Sequence, residues 1–171
     1  KKGKLQAKNE KFVTSFNAMH SDEHPFLPIW MAVETITFGS LVTLYKGVEN
    51  SIKQEIANSV DVSDLVFESW LSSLKGIRNI AAHHGRLWNR ELNIKPKIPR
   101  GTKHPEWSVV RVGNDRVFGL LTIEQYMLNI IAPQSQWSTR LRALLEQYSE
   151  IPLKDMGFPE HWKTSPIWNL E

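Results

Sequence analysis

Apolar residues along this chain return mostly at the three-to-four spacing of helices, in separate blocks divided by polar or proline-containing runs. Leu5, Phe12, Phe16 and Met19 mark a first helix over residues 5–19, closed by the loop 20–28. Pro28 suits the first turn of a second helix, with Ile29, Val33, Ile36, Ser40, Leu41 and Leu44 at helical spacing to about Tyr45, before Gly47 stops it. A short third helix is expected over residues 50–58. Ser63 can cap a fourth that begins near Leu65, where Phe67, Trp70, Leu71, Leu74, Ile77 and Ala81 form a core-facing stripe.

After Gly85 the periodicity is lost. Prolines at 96 and 99 with Gly101 preclude a regular helix, and Lys95, Lys97, Arg100 and Lys103 make the segment 86–106 a basic loop. Residues 107–112 and 117–121, separated by Gly113-Asn114-Asp115-Arg116, read as a small β-hairpin, although the second run could instead open the next helix. Thr122 is a cap candidate for a helix to Ile131, closed by Pro133, and Leu141, Leu144, Leu145 and Tyr148 mark a last helix over residues 136–148. The fold class expected is mainly α, a helical bundle with a small hairpin after the basic loop. Residues 1–150 form one helical domain, and residues 151–171 an irregular tail packed on it.

A chain of 171 residues with 41% hydrophobic residues is long enough to bury a core as one domain. No window approaches the roughly 18 apolar residues of a membrane helix, and the start resembles no signal peptide, so a cytoplasmic protein without a membrane partner is expected. With no cysteine, disulfides and thiolate zinc sites are excluded. His20, His24, His83, His84, His104 and His161 form no two-histidine-plus-carboxylate helical signature, so neither metal nor cofactor is expected. The formal charge of +3 is compatible with an anionic partner without requiring one.

The chemistry concentrates in Arg78-Asn79-Ile80-Ala81-Ala82-His83-His84-Gly85-Arg86-Leu87-Trp88-Asn89-Arg90. At about 100° per residue Asn79 and His83 stack at i and i+4, while Arg78 lies about 140° round from His83. Arginine's long stem could reach back to a shared cleft. A second copy of the helix in a homodimer could instead set one protomer's arginine beside the other's histidine, the arrangement we favour. Histidine can take the proton of a ribose 2′-hydroxyl or protonate the leaving 5′-oxygen, and arginine can stabilise charge on the phosphorane. The competing structural reading is a hydrogen-bond network at a helix end, where a cation complements the dipole.

Arg78-Asn79-x-x-x-His83 resembles the HEPN signature, and its extension through Trp88-Asn89-Arg90 resembles the core motif of Abi-like (abortive-infection) proteins of the AbiD/AbiF kind. Pro28-Ile29-Trp30-Met31-Ala32-Val33-Glu34, Phe38-Gly39-Ser40-Leu41 and Ser69-Trp70-Leu71 resemble that family in order and spacing, so that roughly residues 5–100 are covered. The resemblance implies an HEPN-like bundle and a metal-independent RNA endonuclease of an anti-phage or toxin–antitoxin system. Arg78, Asn79 and His83 would be its catalytic residues, RNA its substrate, a homodimer its form, and an antitoxin or regulatory RNA its partner. Ala81 stands where relatives often carry cysteine, a change of packing size. Relatives usually have a longer region before this point, so the chain is expected to be the C-terminal part of a longer protein.

Around that centre the candidates for orienting it or holding RNA are Glu34, His84, Arg86, Asn89, Arg90, Lys95, Lys97 and Arg100. Glu34 lies in an apolar stretch and is expected to be buried against Arg78 or Arg86. A reading from a different class makes the same residues contacts of a non-catalytic module that binds RNA or a protein.

Overall fold

The computed structural model describes residues 10–20, 22–23, 26–100 and 102–168. Among these the chain is helical, with no strand, and it divides into two compact units, Lys1–Gly47 and Val48–Glu171.

The first unit holds α1 (Lys11–His20), α2 (Ile29–Thr35) and α3 (Phe38–Gly47). Residues 5–9, the expected start of the first helix, lie outside the described residues. The expected second helix is broken in two. At Ile36 the backbone turns extended (φ −91°, ψ 147°), after which the Thr37 hydroxyl accepts the amide of Ser40 at 3.1 Å and starts α3 afresh. Three successive β-branched residues, Thr35, Ile36 and Thr37, weaken the helix there, and the Thr35 hydroxyl bonds back to the Ala32 carbonyl at 2.8 Å. Val13, Val42 and Tyr45 are buried, whereas Ile29, Trp30 and Val33 stand exposed on α2. Glu34 is exposed too, so the burial that would have obliged an ion pair is absent.

The second unit begins with α4 (Asn50–Asn58) and α5 (Asp64–Ala82). Ser63 caps α5 as expected, its hydroxyl accepting the amide of Val66 at 3.4 Å. The basic loop then returns along α5: the Trp70 indole donates to the Lys97 carbonyl at 2.7 Å, and the Lys97 amide donates to the Ser69 hydroxyl at 2.9 Å. Trp70 is wholly buried, its ring 5.8 Å from those of both Trp107 and Tyr126.

The hairpin does not form. Residues 105–107 make one 3-10 turn followed by further turns, and the second run opens α6 (Val117–Ile131), the alternative weighed from the sequence. Eight residues of α6 are buried, which explains the misleading pattern: a helix buried on most of its faces gives a continuous apolar run that periodicity cannot tell from a strand. Thr122 is therefore no cap. It sits inside α6, where its hydroxyl donates to the Phe118 carbonyl at 2.9 Å and accepts the Trp168 indole at 3.1 Å. α7 (Trp137–Gln147) follows, then 3-10 turns at Leu153–Met156 and Trp162–Thr164. Phe158, Trp162 and Trp168 pack their rings on Phe118 at 4.5, 6.3 and 6.1 Å. Each such aromatic pair is worth about 0.5–1.5 kcal/mol beyond the area it buries.

A polar cluster at the end of a buried-face helix

α5 stays amphipathic to its last turn, where its outer face changes character: Arg78 and Asn79 are exposed, and so are His83 and His84 beyond the final helical residue. The helix ends in a Schellman motif. His84 occupies the left-handed position (φ 55°), its amide donating to the Ala81 carbonyl at 3.0 Å, while the Gly85 amide reaches the Ile80 carbonyl at 2.8 Å. Glycine usually fills the left-handed place; here it stands one residue later for a different reason. A Cβ on Gly85 would lie 2.8 Å from Ile80 Cγ2 and 3.0 Å from the Ile80 carbonyl oxygen. The chain thus holds a histidine in a conformation that costs it about 1–2 kcal/mol, beside the candidate centre.

Within this cluster the Arg78 guanidinium donates to the Asn79 amide oxygen at 3.3 Å, and the His83 amide caps the helix on the Asn79 carbonyl at 3.1 Å. Among the described residues no hydrogen bond joins the His83 imidazole to Arg78 or to the Asn79 side chain. Asn79 and His83 are thus tied through the backbone, and the three side chains are neighbours on one exposed helix end without forming a closed triad. Such an end offers a solvent-exposed imidazole and, about 140° round the helix, an exposed guanidinium, residue types able to transfer a proton and to neutralise a phosphate's charge.

The surrounding candidates separate into distinct groups. Arg86 lies over the Trp88 ring at 5.8 Å, and the Trp88 indole donates to the Pro152 carbonyl at 3.4 Å, which anchors the motif's extension on the C-terminal segment. Asn89, another left-handed residue (φ 50°), accepts the Arg116 guanidinium at 2.9 Å, so its side chain ties the loop down. Arg90 is exposed next to it. Lys95 pairs with Glu91 at 2.9 Å, and that pairing holds the Glu91 carboxyl below and the Lys95 amine above their ordinary values.

Lys97 and Arg100 are not part of the cluster. Lys97 is fastened beside Ser69 and Trp70, which at about 1.5 Å per residue places its backbone roughly 20 Å down α5 from His83. Glu34 belongs to the first unit. Arg116 went unmarked in the sequence because nothing local signals a contact reaching back to Asn89. No group of three or more histidine, aspartate and glutamate side chains among the described residues could hold a metal ion.

A family model described as Abi-like protein matches residues 2–89, just over half of the chain. The match takes in Arg78, Asn79, His83 and the Arg86-Leu87-Trp88-Asn89 extension. No curated protein and no solved structure matches the chain.

Proposed function

The chain belongs to the Abi-like protein family, the abortive-infection class, and from that premise we propose that it is a metal-independent RNA endonuclease acting as a homodimer in anti-phage defence or a toxin–antitoxin pair. The observation that carries the reading is the exposed end of α5, where Arg78, Asn79 and His83 gather while no structural network among the described residues engages the imidazole. A histidine kept for stability would be expected to be buried or bonded.

In this scheme His83 removes the proton from a ribose 2′-hydroxyl as the oxygen attacks the adjacent phosphorus. The bond from phosphorus to the 5′-oxygen breaks, and the leaving oxygen takes a proton from a second, protonated imidazole. The products are a 2′,3′-cyclic phosphate and a 5′-hydroxyl, with no net change in protons. Arg78 neutralises charge building on the non-bridging oxygens, and Asn79 holds the guanidinium in place. The angular offset of Arg78 from His83 favours a centre shared across a two-fold axis, which would also provide the second imidazole.

The test is cleavage of a mixed RNA pool by wild type, Arg78→Ala and His83→Ala in excess EDTA, with the 3′ ends of the products analysed. Cleavage leaving cyclic phosphate and lost in both variants, with melting temperatures close to wild type, is the expected result. RNA affinity without cleavage in any protein would instead support a binding module, and cleavage undiminished in both variants would refute the assignment of the centre.

A further inference from the structure

At the other end of α5 lies a groove of about 830 Å³ lined by Asn58, Ser63, Lys97, Arg100, Lys103 and Asn114 among others. Three cations stand against one carboxylate, Asp61, in that lining, and among the described residues none of the three has an ion-pair partner. All three are exposed. The Lys97 end of the segment presenting them is fixed from below: the amide and carbonyl of Lys97 are bound to Ser69 and Trp70, and the Asn114 side-chain amide donates to the Pro96 carbonyl at 3.1 Å. A cation on a pinned backbone, as Lys97 is, loses less freedom when a phosphate arrives than one on a loose backbone. The N-terminus of α5, at Ser63, also gives the groove the positive end of a 19-residue helix dipole. These loop residues lie beyond the part of the chain that the family model covers.

We infer that this groove holds the sugar-phosphate backbone of a single RNA strand, away from the cleavage centre, so that substrate is engaged at both ends of α5. The inference rests on the proposed reading that RNA is the substrate. From His83 the Lys97 backbone lies roughly 20 Å along the helix and Ser63 roughly 30 Å, which at about 3.4 Å per phosphate of a stacked strand is about six to nine nucleotides. A strand of about three nucleotides reaches only one of the two sites. Amide and hydroxyl donors, with no phenylalanine, tyrosine or tryptophan in the lining, fit a contact made mainly to the backbone.

The experiment compares a 20-nucleotide and a roughly 3-nucleotide RNA, both 2′-O-methylated to block cleavage, binding to the 171-residue chain in EDTA by fluorescence anisotropy over a salt series. Wild type should prefer the longer strand by about tenfold or more. The Lys97→Gln, Arg100→Gln, Lys103→Gln variant should lose that preference and lower the salt dependence of log affinity by about 2, from three phosphate contacts at about 0.7 each. Lys97→Arg with Lys103→Arg should keep both, which shows that charge and not folding is read.

A triple variant that retains the full preference overturns the inference. So does equal affinity of wild type for both lengths with displacement by millimolar inorganic phosphate, the behaviour of a small-anion site. Parallel cleavage assays on unmodified RNA separate the two proposals: binding lost in the triple variant while wild type cuts nothing would keep the groove and remove the nuclease. Cutting by wild type with binding unchanged in the triple variant would do the reverse.

Discussion

The end of α5 makes a paired prediction in which two adjacent substitutions, each exchanging glycine and a larger residue, move stability in opposite directions. His84→Gly relieves a left-handed conformation that costs a side chain about 1–2 kcal/mol. Part of that gain, about 0.5–1 kcal/mol, is lost to the greater freedom of glycine in the unfolded chain. The net is a stabilisation of about 0.5–1 kcal/mol, or a rise in Tm of about 1–4 °C at this chain length. Gly85→Ala gains nothing comparable. Its Cβ would stand 2.8 Å from Ile80 Cγ2 and 3.0 Å from the Ile80 carbonyl oxygen, and that oxygen cannot yield because it accepts the Gly85 amide itself. Overpacking of this kind costs about 1–3 kcal/mol, a fall of about 2–12 °C. Thermal melting by circular dichroism of the two single variants decides it. A destabilised His84→Gly would mean that residue 84 is not left-handed, and a neutral Gly85→Ala that Ile80 does not close on residue 85; either result would show the described exit of the chain from α5 to be wrong.

Three further outcomes follow from other parts of the molecule. If the centre is shared between protomers and uses both imidazoles, subunit exchange of wild type with an equal amount of His83→Ala should about halve the cleavage, since half of the dimers are then mixed and hold one of the two imidazoles; undiminished cleavage after exchange confirmed by mass spectrometry would place the centre within one chain. Gly119→Ala should lower Tm by several degrees or prevent folding, because its Cβ would fall 2.3 Å from the Gly113 carbonyl oxygen, backbone that closes on the first turn of α6; a melting curve matching wild type would show that the loop is looser than described. Tyr126, pushed up to about 12 mainly by burial and further by the charges of Asp61 and Glu106, favours its neutral form in the fold. That contribution is complete below the unfolded value near pH 10 and is lost as pH rises through 12. Tm should fall over that window in wild type and less in Tyr126→Phe, and tyrosinate absorbance showing all three tyrosines titrating near 10 would contradict it.

α5 was legible because its signals agree: a capping serine, an apolar stripe at helical spacing and a sharp turn to polar residues at its end. The break at Ile36 was not, since apolar residues keep returning at helical spacing across it and only the local bonds of Thr35 and Thr37 mark the interruption. The start of α6 was misplaced because Val117 to Leu121 carries too few polar residues to reveal a period. Glu34 shows the opposite error, a carboxylate in an apolar stretch taken for a buried one, when its neighbours Ile29, Trp30 and Val33 are themselves exposed. For the candidate centre, spacing alone placed Arg78, Asn79 and His83 together at one helix end. It could not supply the left-handed turn at His84, the hold of Arg116 on Asn89, or the distance that removes Lys97 and Arg100 from that end, all of which depend on contacts between segments far apart in the chain.

The packing of Phe158, Trp162 and Trp168 on Phe118 carries a consequence for how this protein comes into being. A ribosome releases the chain from its N-terminus, so Arg78 and His83 emerge long before Trp168 exists to donate to Thr122. A polypeptide abandoned between Phe118 and Phe158, whether by a broken message or a stalled ribosome, contains every residue of the candidate centre and none of the rings that close over α6. Its exposed Phe118 face marks it for the proteases and chaperones that recognise unfinished chains. The core over α6 therefore closes only after residues well beyond Phe118 have been made, so the fold of the second unit depends on synthesis running at least to Trp168.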